Sequence, residues 1–394
     1  MPFKIRPTLG RSLLLLWSSH LLLDFFTGIW PIYKTIAGID LATAGLIAGF
    51  AGLFGELLQM VFGYFSDRGF RKKVIVLGLT FASSILWITF TDNALLCFLI
   101  MLLLMVGSGS YHPAAVGAAG MLSKEKKGRH ILLFASGGAL GLAVSQLAFT
   151  KSLETFGGNA TIFFIPVAIL LFFLACYPIE EQANNQTLSL RVFFQPLMRA
   201  KRPLLLLYLA QVCNYSMLMA FMFLLPDLMF AKGCHSWLCK GGGHLCFVIG
   251  GALLMVPAGI LSDRYGPKPI LLSILFFSLL FLYSFLSQTE FSLGKTMFFL
   301  LTIGGFMGTV TPVIVSWGNK LVPESPSTVS ALMMGFAWCL ANFGATWAGL
   351  IAGNATASDE PISLTLTILG SLLVIGFLLI LFMPNAVRSE AFNE

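Results

Sequence analysis

Charged residues are scarce in this sequence. Only 10% of the 394 residues are Asp, Glu, Lys or Arg, whereas soluble domains carry about 25%. The sequence is 57% hydrophobic, and its mean hydropathy is +0.88. A water-soluble particle of this size could not cover its surface with so few charges. The composition therefore excludes an ordinary soluble enzyme and predicts a chain that lies largely in lipid.

The motifs of common enzymes are also missing. The sequence has no nucleophile elbow, no Walker loop and no dinucleotide fingerprint in a suitable context. We therefore predict that the protein is not an enzyme and that it needs no cofactor and no metal. A transport-inactive membrane sensor or lipid-handling protein is a minor alternative. A long soluble segment would favour it, but only short connections separate the apolar stretches.

The apolar stretches have the length of membrane spans. A helix needs about 20 residues to cross the hydrocarbon core of a bilayer, and twelve stretches approach or exceed this length. The sequence therefore predicts an all-α membrane protein with twelve transmembrane helices. The predicted spans are 12–33, 42–64, 74–91, 94–122, 131–150, 159–178, 203–231, 245–262, 270–288, 296–320, 327–353 and 362–383.

The basic residues orient these spans. Under this assignment 19 of the 24 Lys and Arg residues lie on one side of the membrane and five on the other. Because basic residues concentrate on the cytoplasmic side, both termini are predicted to be cytoplasmic. The net charge of +7 is then a topology signal, and we predict no nucleic-acid partner. The five on the poorer side are Lys34, Lys151, Lys232, Lys240 and Lys295.

Two motifs occur twice at about half the chain length. The pattern G-x-x-x-D-R recurs at an offset of 196, and the segment Gly109 to Pro113 is echoed 199 residues later, which pairs His112 with Thr311. Such a repeat predicts two pseudo-symmetric six-helix bundles, 1–178 and 203–394, joined by a cytoplasmic linker over 179–202. The repeated motif residues are Gly63, Asp67, Arg68, Arg71 and Lys72 in the first copy, and Gly259, Asp263, Arg264 and Lys268 in the second.

Four ionisable residues fall deep inside predicted spans: His20, Asp24, Glu56 and His112. His20 and Asp24 are four residues apart and share one helix face, and His112 lies at a comparable depth. A carboxylate beside histidines is what a proton relay needs, so these residues are predicted to serve proton coupling or substrate binding. The alternative is a polar contact that only fixes helix packing. Glu56 faces either the bundle interior or its own motif region.

Two cysteines lie outside the predicted spans. Cys234 and Cys239 stand with His235 and His244 in a Gly-rich segment that the sequence places in an external loop. A disulfide, a weak metal site and neither of these remain open.

The motifs resemble the major facilitator superfamily. Its cytoplasmic signature G-x-x-x-D-R-x-x-R-K is matched from Gly63 to Lys72. Within that superfamily the chain resembles the fosmidomycin-resistance group of bacterial efflux proteins. The similarity covers both halves and rests on Ser19-His20 with Asp24, the sequence GSYHP at 109–113, the glycines of 137–141, and the segment 312–335.

The resemblance implies a transporter that works by alternating access. It implies that the motif residues act as gates, and that His20, Asp24, His112 and Thr311 face a central cavity, since the first, fourth, seventh and tenth helices line it. It further implies a monomer in the bacterial inner membrane that exports a small organic solute in exchange for protons. The expected partners are therefore a small-molecule substrate, protons and the lipid bilayer.

Two departures from the family pattern favour a second interpretation. Ala114 and Ala115 follow Pro113 where the group usually has an acidic residue, and Ser145-Gln146 replaces the Gly-Pro of antiporters in the fifth helix. The alternative function is a proton symporter or uniporter that imports a small metabolite.

Overall fold

The computed structural model describes residues 8–122, 127–179, 195, 197, 198, 200–353 and 360–384. Regular structure in these residues is helical, without a β-strand among them, so the predicted all-α fold class is confirmed. The chain divides into two compact units, Met1–Gln186 with Ser236–Leu245, and Thr187–His235 with Cys246–Glu394. The predicted linker lies largely outside the described residues, and the predicted domain limits stay a prediction.

The first unit consists of helices that follow the predicted apolar stretches. A 3₁₀ segment, Ser83–Phe90, extends the fourth of them, and another, Thr161–Phe163, leads into the seventh. The helices are α1 (Leu9–Thr27), α2 (Trp30–Ile36), α3 (Leu41–Asp67), α4 (Arg71–Ala82), α5 (Ala94–Met121), α6 (Lys127–Thr155) and α7 (Phe164–Cys176).

The first predicted span is interrupted near its outer end. Gly28 ends α1, and Pro31 occupies the first turn of α2, where its missing N–H costs nothing. Asp40 then begins α3 as its N-cap, because its carboxylate accepts the backbone N–H of Thr43 at 2.8 Å. This bond holds the pKa of Asp40 below its usual value. Lys34, predicted at the membrane edge, lies in α2 with its side chain fully buried.

The second unit also consists of helices that follow the predicted apolar stretches. A π-helical turn, Ala331–Phe336, separates two short helices in its predicted eleventh span. The helices are α8 (Lys201–Ala231), α9 (Gly243–Tyr265), α10 (Pro267–Leu286), α11 (Leu293–Leu321), α12 (Pro326–Ser330), α13 (Ala337–Ala341), α14 (Phe343–Gly353) and α15 (Glu360–Leu381).

The apolar helices have the lengths that membrane spans require. Eleven helical stretches among the described residues are long and apolar enough to cross a bilayer, and Thr161–Cys176 is a shorter apolar helix at the position of the predicted sixth span. The chain is therefore a multi-pass membrane protein, as predicted.

The predicted external loop before the eighth span is shorter in the structure. Helical residues resume at 236, a non-helical turn remains at Lys240 and Gly241, and α9 begins at Gly243. A kink at Lys240 and Gly241 allows this path, since Gly241 adopts a φ of 112°, a conformation that favours glycine. His244 is consequently buried in a helix, and its Nε2 donates to the carbonyl of Leu142 at 3.0 Å.

Glycines bring α1 and α6 into backbone contact. An added Cβ at Gly137 would lie 2.5 Å from the carbonyl oxygen of Trp17, and one at Gly141 would overlap the backbone of Leu21. Only glycine permits so close an approach of two helices. This packing carries the polar residues of α1 directly against the surface of α6.

Candidate functional site

The polar centre of the first unit is a carboxylate between two imidazoles. Asp24 Oδ2 lies 3.2 Å from Nε2 of His20, one turn earlier in α1. Its other oxygen, Oδ1, lies 3.3 Å from Nε2 of His112 in α5. The i, i+4 spacing produces the first pair, and the packing of α5 beside α1 produces the second. These three residues are called the His–Asp–His cluster below.

Backbone carbonyls fix the orientation of both imidazoles. Nδ1 of His20 lies 2.9 Å from the carbonyl oxygen of Phe134, and Nδ1 of His112 lies 2.9 Å from that of Ser108. A carbonyl oxygen can only accept, so each Nδ1 carries a hydrogen and donates it. In both rings the atom that faces Asp24 is therefore Nε2.

Aromatic rings and a glycine surround the cluster. The ring of Phe134 stacks on His20 at 4.1 Å between centroids, with 12° between the planes. The ring of Tyr111 lies 6.0 Å from that of His20, and its hydroxyl forms a 2.6 Å hydrogen bond with that of Ser19. At Gly138 an added Cβ would collide with Asp24 Oδ2 and His20 Nε2. The side chains of the cluster are thus held on several sides.

The cluster is only partly shielded from solvent. The side chain of His112 is 29% exposed and that of Asp24 is 19% exposed, whereas His20 is 8% exposed. His112 and Asp24 are therefore the two members of the cluster that are accessible from outside the protein.

Glu56 is the second buried carboxylate of this unit. It lies in α3, is 6% exposed and accepts a hydrogen bond from Gln59 one turn later. It also interacts electrostatically with His112 and with Asp24. Of the two orientations open from the sequence, the side chain takes the buried one, in electrostatic range of His112.

Thr311 lies in the second unit. Its hydroxyl accepts a 2.9 Å hydrogen bond from Nε2 of Gln211, so α8 and α11 are joined at this point by a polar contact. The structure thus brings together His20, Asp24 and His112 in the first unit, with Glu56 in electrostatic range.

Sequence reasoning missed the groups that hold the cluster in place. Phe134 and Gln59 carry no motif that distinguishes them from ordinary residues of a span. Ser19, Tyr111 and Gly138 belong to segments that carry the family resemblance, which was the available signal.

The repeated motif forms an ion pair in each unit. In the first copy Asp67 pairs with Arg71 at 3.4 Å, and in the second Asp263 pairs with Lys320 at 3.0 Å. Arg71 is only 5% exposed, whereas the other three charged groups lie largely in solvent. Arg71 also donates to Ser66 Oγ at 3.3 Å, and it is therefore the buried member of the motif.

The arginine that directly follows each motif aspartate contacts an aromatic ring. The guanidinium of Arg68 lies 4.4 Å from the ring centroid of Tyr64, and that of Arg264 lies 5.2 Å from that of Tyr265. These are cation–π contacts of exposed groups, which contribute little to stability.

The last basic residue of each copy binds a helix end. Lys72 Nζ donates to the carbonyl of Ala175 at 2.7 Å, at the end of α7. Lys268 Nζ donates to the carbonyl of Met383 at 2.6 Å, just after α15. Both ammonium groups satisfy carbonyls that helix termini leave without an intrahelical partner.

The two glycines of the motif lie where the structure has room for a larger side chain. An added Cβ at Gly63 would lie 3.7 Å from Pro113, an ordinary contact, and one at Gly259 would meet no atom within 4 Å.

Burial predicts different roles for the two arginines of the first copy. We expect Arg71→Ala to lower the thermal stability of the purified protein, because it removes a buried guanidinium that contacts Asp67, Ser66 and the sulfur of Met121. Arg68→Ala should leave the melting temperature near the wild-type value. Thermal unfolding in detergent measures both variants, and an equal loss for Arg68→Ala would contradict this assignment.

Cys234 and Cys239 are both buried thiols in the structure, with 7% and 4% exposure. The disulfide alternative stays a prediction. It is tested by counting reactive thiols in unfolded protein that was purified without reductant.

Comparison with known proteins identifies the family. The model of the Major Facilitator Superfamily matches residues 13–238, which is more than half of the chain. Together with the all-helical fold and its repeated motifs, this shows that the chain belongs to the Major Facilitator Superfamily of membrane transporters.

The similar relatives include drug-resistance proteins. The chain is 24% identical over 392 residues to the fosmidomycin resistance protein of Escherichia coli (strain K12), covering 93% of this chain and 91% of that protein. It is 26% identical to the multidrug resistance protein MdtG of Klebsiella pneumoniae (strain 342), covering 83% of this chain and 82% of the relative. The predicted resemblance to the efflux-like group is confirmed.

Solved structures confirm the fold. A bacterial homologue of the human lysosomal transporter Spinster matches with a TM-score of 0.78 and 15% identity, over 96% of this chain and 97% of that chain. A variant of the nucleoside transporter NupG matches with a TM-score of 0.74 and 16% identity, over 96% of this chain and 100% of that one. Fold and family are those of transporters and not those of enzymes.

Proposed function

We propose that this protein is a proton-coupled secondary transporter that exports a small organic molecule by alternating access. It acts as a monomer in the bacterial inner membrane, with both termini in the cytoplasm. The His–Asp–His cluster carries the coupling protons, and the two copies of the G-x-x-x-D-R motif act as gates. The names of the two drug-resistance relatives support export.

The observation that carries this proposal is the position of Asp24. A carboxylate held between two Nε2 atoms at 3.2 and 3.3 Å, and partly open to solvent, has three neighbouring sites for a transferable proton. Because Nδ1 of each histidine is tied to a carbonyl, protons enter and leave only at the face toward Asp24. A substrate that displaces these protons, or needs them, is thereby coupled to the proton gradient.

Glu56 and Thr311 complete the proposed pathway. Glu56 supplies a second buried carboxyl group in electrostatic range of His112. Thr311, with Gln211, offers hydroxyl and amide groups in the second unit for a polar substrate. Neither residue carries a permanent positive charge that could neutralise a multiply charged anion inside the membrane. The proposed substrate is therefore not multi-anionic.

The gate role of the motif rests on its ion pairs. Asp67, Asp263 and Lys320 are largely exposed, so their pairs can break and re-form at low cost. Each motif is anchored to neighbouring helices by its other basic residues, which are Arg71, Lys72 and Lys268. The remaining motif residues of the proposed gates are Gly63, Gly259, Arg68 and Arg264.

Import by proton symport is the second candidate, and a feature of α6 favours it. Ser145 and Gln146 stand where antiporters of the superfamily have Gly-Pro, and α6 runs unbroken from Lys127 to Thr155. Both side chains are buried. This helix therefore lacks the bend that Gly-Pro would introduce.

Transport in liposomes tests the proposal. Purified protein is reconstituted with a pH-sensitive dye inside, a pH gradient is imposed, and fosmidomycin and a panel of neutral and cationic drugs are added. We expect substrate movement that stops when a protonophore collapses the gradient. An inward proton gradient that drives substrate outward supports export, whereas one that carries substrate inward supports import. A compound that stabilises the protein but crosses without proton flux would contradict coupling.

A further inference from the structure

The His–Asp–His cluster has the chemistry of a metal site. His20 Nε2, His112 Nε2 and a carboxylate oxygen of Asp24 all lie within 4.8 Å of one another. Two imidazoles and a carboxylate are ligands that zinc and similar divalent ions prefer. Two ligands of a tetrahedral zinc ion, each about 2.0–2.1 Å from the metal, lie about 3.3 Å apart. Oδ2 of Asp24 lies 3.2 Å from Nε2 of His20, and Oδ1 lies 3.3 Å from Nε2 of His112. Each oxygen thus matches this value with one histidine, and an ion bound by both histidines contacts both carboxylate oxygens.

The groups behind the histidines support the same conclusion. A histidine that binds a metal usually donates its other ring N–H to a carbonyl or a carboxylate, which orients the ring and its free lone pair. Phe134 and Ser108 provide such carbonyls, each at 2.9 Å from Nδ1. α6 presents this contact to His20, and the preceding turn of α5 presents it to His112.

Electrostatics at the cluster also require a cation. With Nδ1 protonated, a neutral imidazole directs the lone pair of Nε2 at a carboxylate oxygen of Asp24. Such a contact is repulsive unless a proton or a metal ion lies between the two atoms. His112 and Asp24 are partly exposed, so the cluster is not sealed within the protein.

We infer that the His–Asp–His cluster is a binding site for a divalent metal ion of the zinc class, which occupies the positions that the coupling protons otherwise take. Each Nε2 donates its lone pair to the ion, so any proton on that nitrogen is released, and Asp24 supplies the negative charge. The remaining coordination positions belong to water from the exposed side. Inhibition of transport by the bound ion rests on the proposed function, whereas binding itself does not.

Cobalt is the probe for this site, because Co²⁺ takes the same ligands as Zn²⁺ and absorbs visible light when they bind it. Full-length protein in detergent, stripped of metal, is titrated with Co²⁺ in a non-chelating buffer without a gradient. We expect one Co²⁺ per chain and loss of the visible bands when Zn²⁺ is added. His112→Gln and Asp24→Asn should weaken Co²⁺ binding by more than the roughly 10- to 100-fold that loss of an outer-shell partner costs.

His235→Ala is the matched control, since His235 is exposed outside the cluster. It should bind Co²⁺ as the wild type does, and thermal unfolding without metal shows whether each variant folds. Wild-type protein that gives no cobalt bands, or binding that is lost in His235→Ala and kept in His112→Gln, would overturn the inference. Gradient-driven transport that depends on Asp24 in a protein without cobalt bands would leave the proposed function standing. Normal cobalt bands in the wild type, together with coupled transport that persists in Asp24→Asn, would contradict the proposed function and leave the metal site standing.

Discussion

Replacing Asp24 by Asn is expected to abolish proton-driven transport. The amide cannot take up a proton, and it removes the negative charge that both Nε2 atoms face at 3.2 and 3.3 Å. Each lost hydrogen bond to a charged group corresponds to about 1.5–3 kcal/mol. We therefore expect gradient-driven accumulation to fall to the level of empty liposomes, while exchange of substrate without net proton movement persists. Initial rates in proteoliposomes with and without a pH gradient measure the two processes.

The control for this substitution is Asp40→Asn. Asp40 is an exposed carboxylate outside the spans, and asparagine caps a helix about as well as aspartate. This variant should transport at the wild-type rate. Full gradient-driven accumulation by Asp24→Asn would show that the cluster is not the coupling site and would leave it a packing contact between α1 and α5.

The members of the cluster were predictable because regular helices determine their positions. The spacing of His20 and Asp24 places both on one face of α1 in any helix, and the resemblance to the superfamily placed His112 on a neighbouring cavity helix. The supporting groups were not predictable, since they depend on packing between helices. The carbonyl of Phe134 reaches His20 only because glycines let α6 approach α1 closely, and no local pattern encodes that distance.

The segment before α9 shows the opposite failure. Its glycines, histidines and lysine are typical of a loop, and the sequence prediction followed that composition. In the structure the loop shrinks to a turn at Lys240 and Gly241 between helical residues. His244 bonds to a carbonyl of α6, and Lys240 pairs with Glu154 at 2.6 Å. Tertiary contacts within the first unit thus override local propensity.

The motif shows a finer limit of prediction. Its repetition at half the chain length located both copies correctly, but the residue types alone did not determine which basic group meets each aspartate. Asp67 pairs with Arg71, whereas the adjacent Arg68 lies over Tyr64. Asp67 ends α3 and Arg71 begins α4, so the tight turn between the two helices, in which Gly69 has a φ of 88°, brings this pair together.

Replacing Gly138 by Ala is expected to disrupt the cluster without changing any of its members. The new methyl group would collide with Asp24 Oδ2 and His20 Nε2. Neither side chain can move away freely, because His20 is stacked on Phe134 and bonded to its carbonyl. The pair between His20 and Asp24 should therefore break, and both gradient-driven transport and the cobalt bands should be lost. Overpacking of this kind also costs about 1–3 kcal/mol of stability.

Gly137→Ala separates the loss of the cluster from the cost of crowding between helices. Its methyl group would press on the carbonyl and the indole of Trp17, so it crowds α1 and α6 as Gly138→Ala does, but its three nearest atoms all belong to Trp17 and not to the cluster. We expect similar drops in melting temperature for the two variants, with transport and cobalt binding retained only in Gly137→Ala. Loss of coupling in both would mean that close packing of α1 and α6, and not the geometry around Asp24, limits transport.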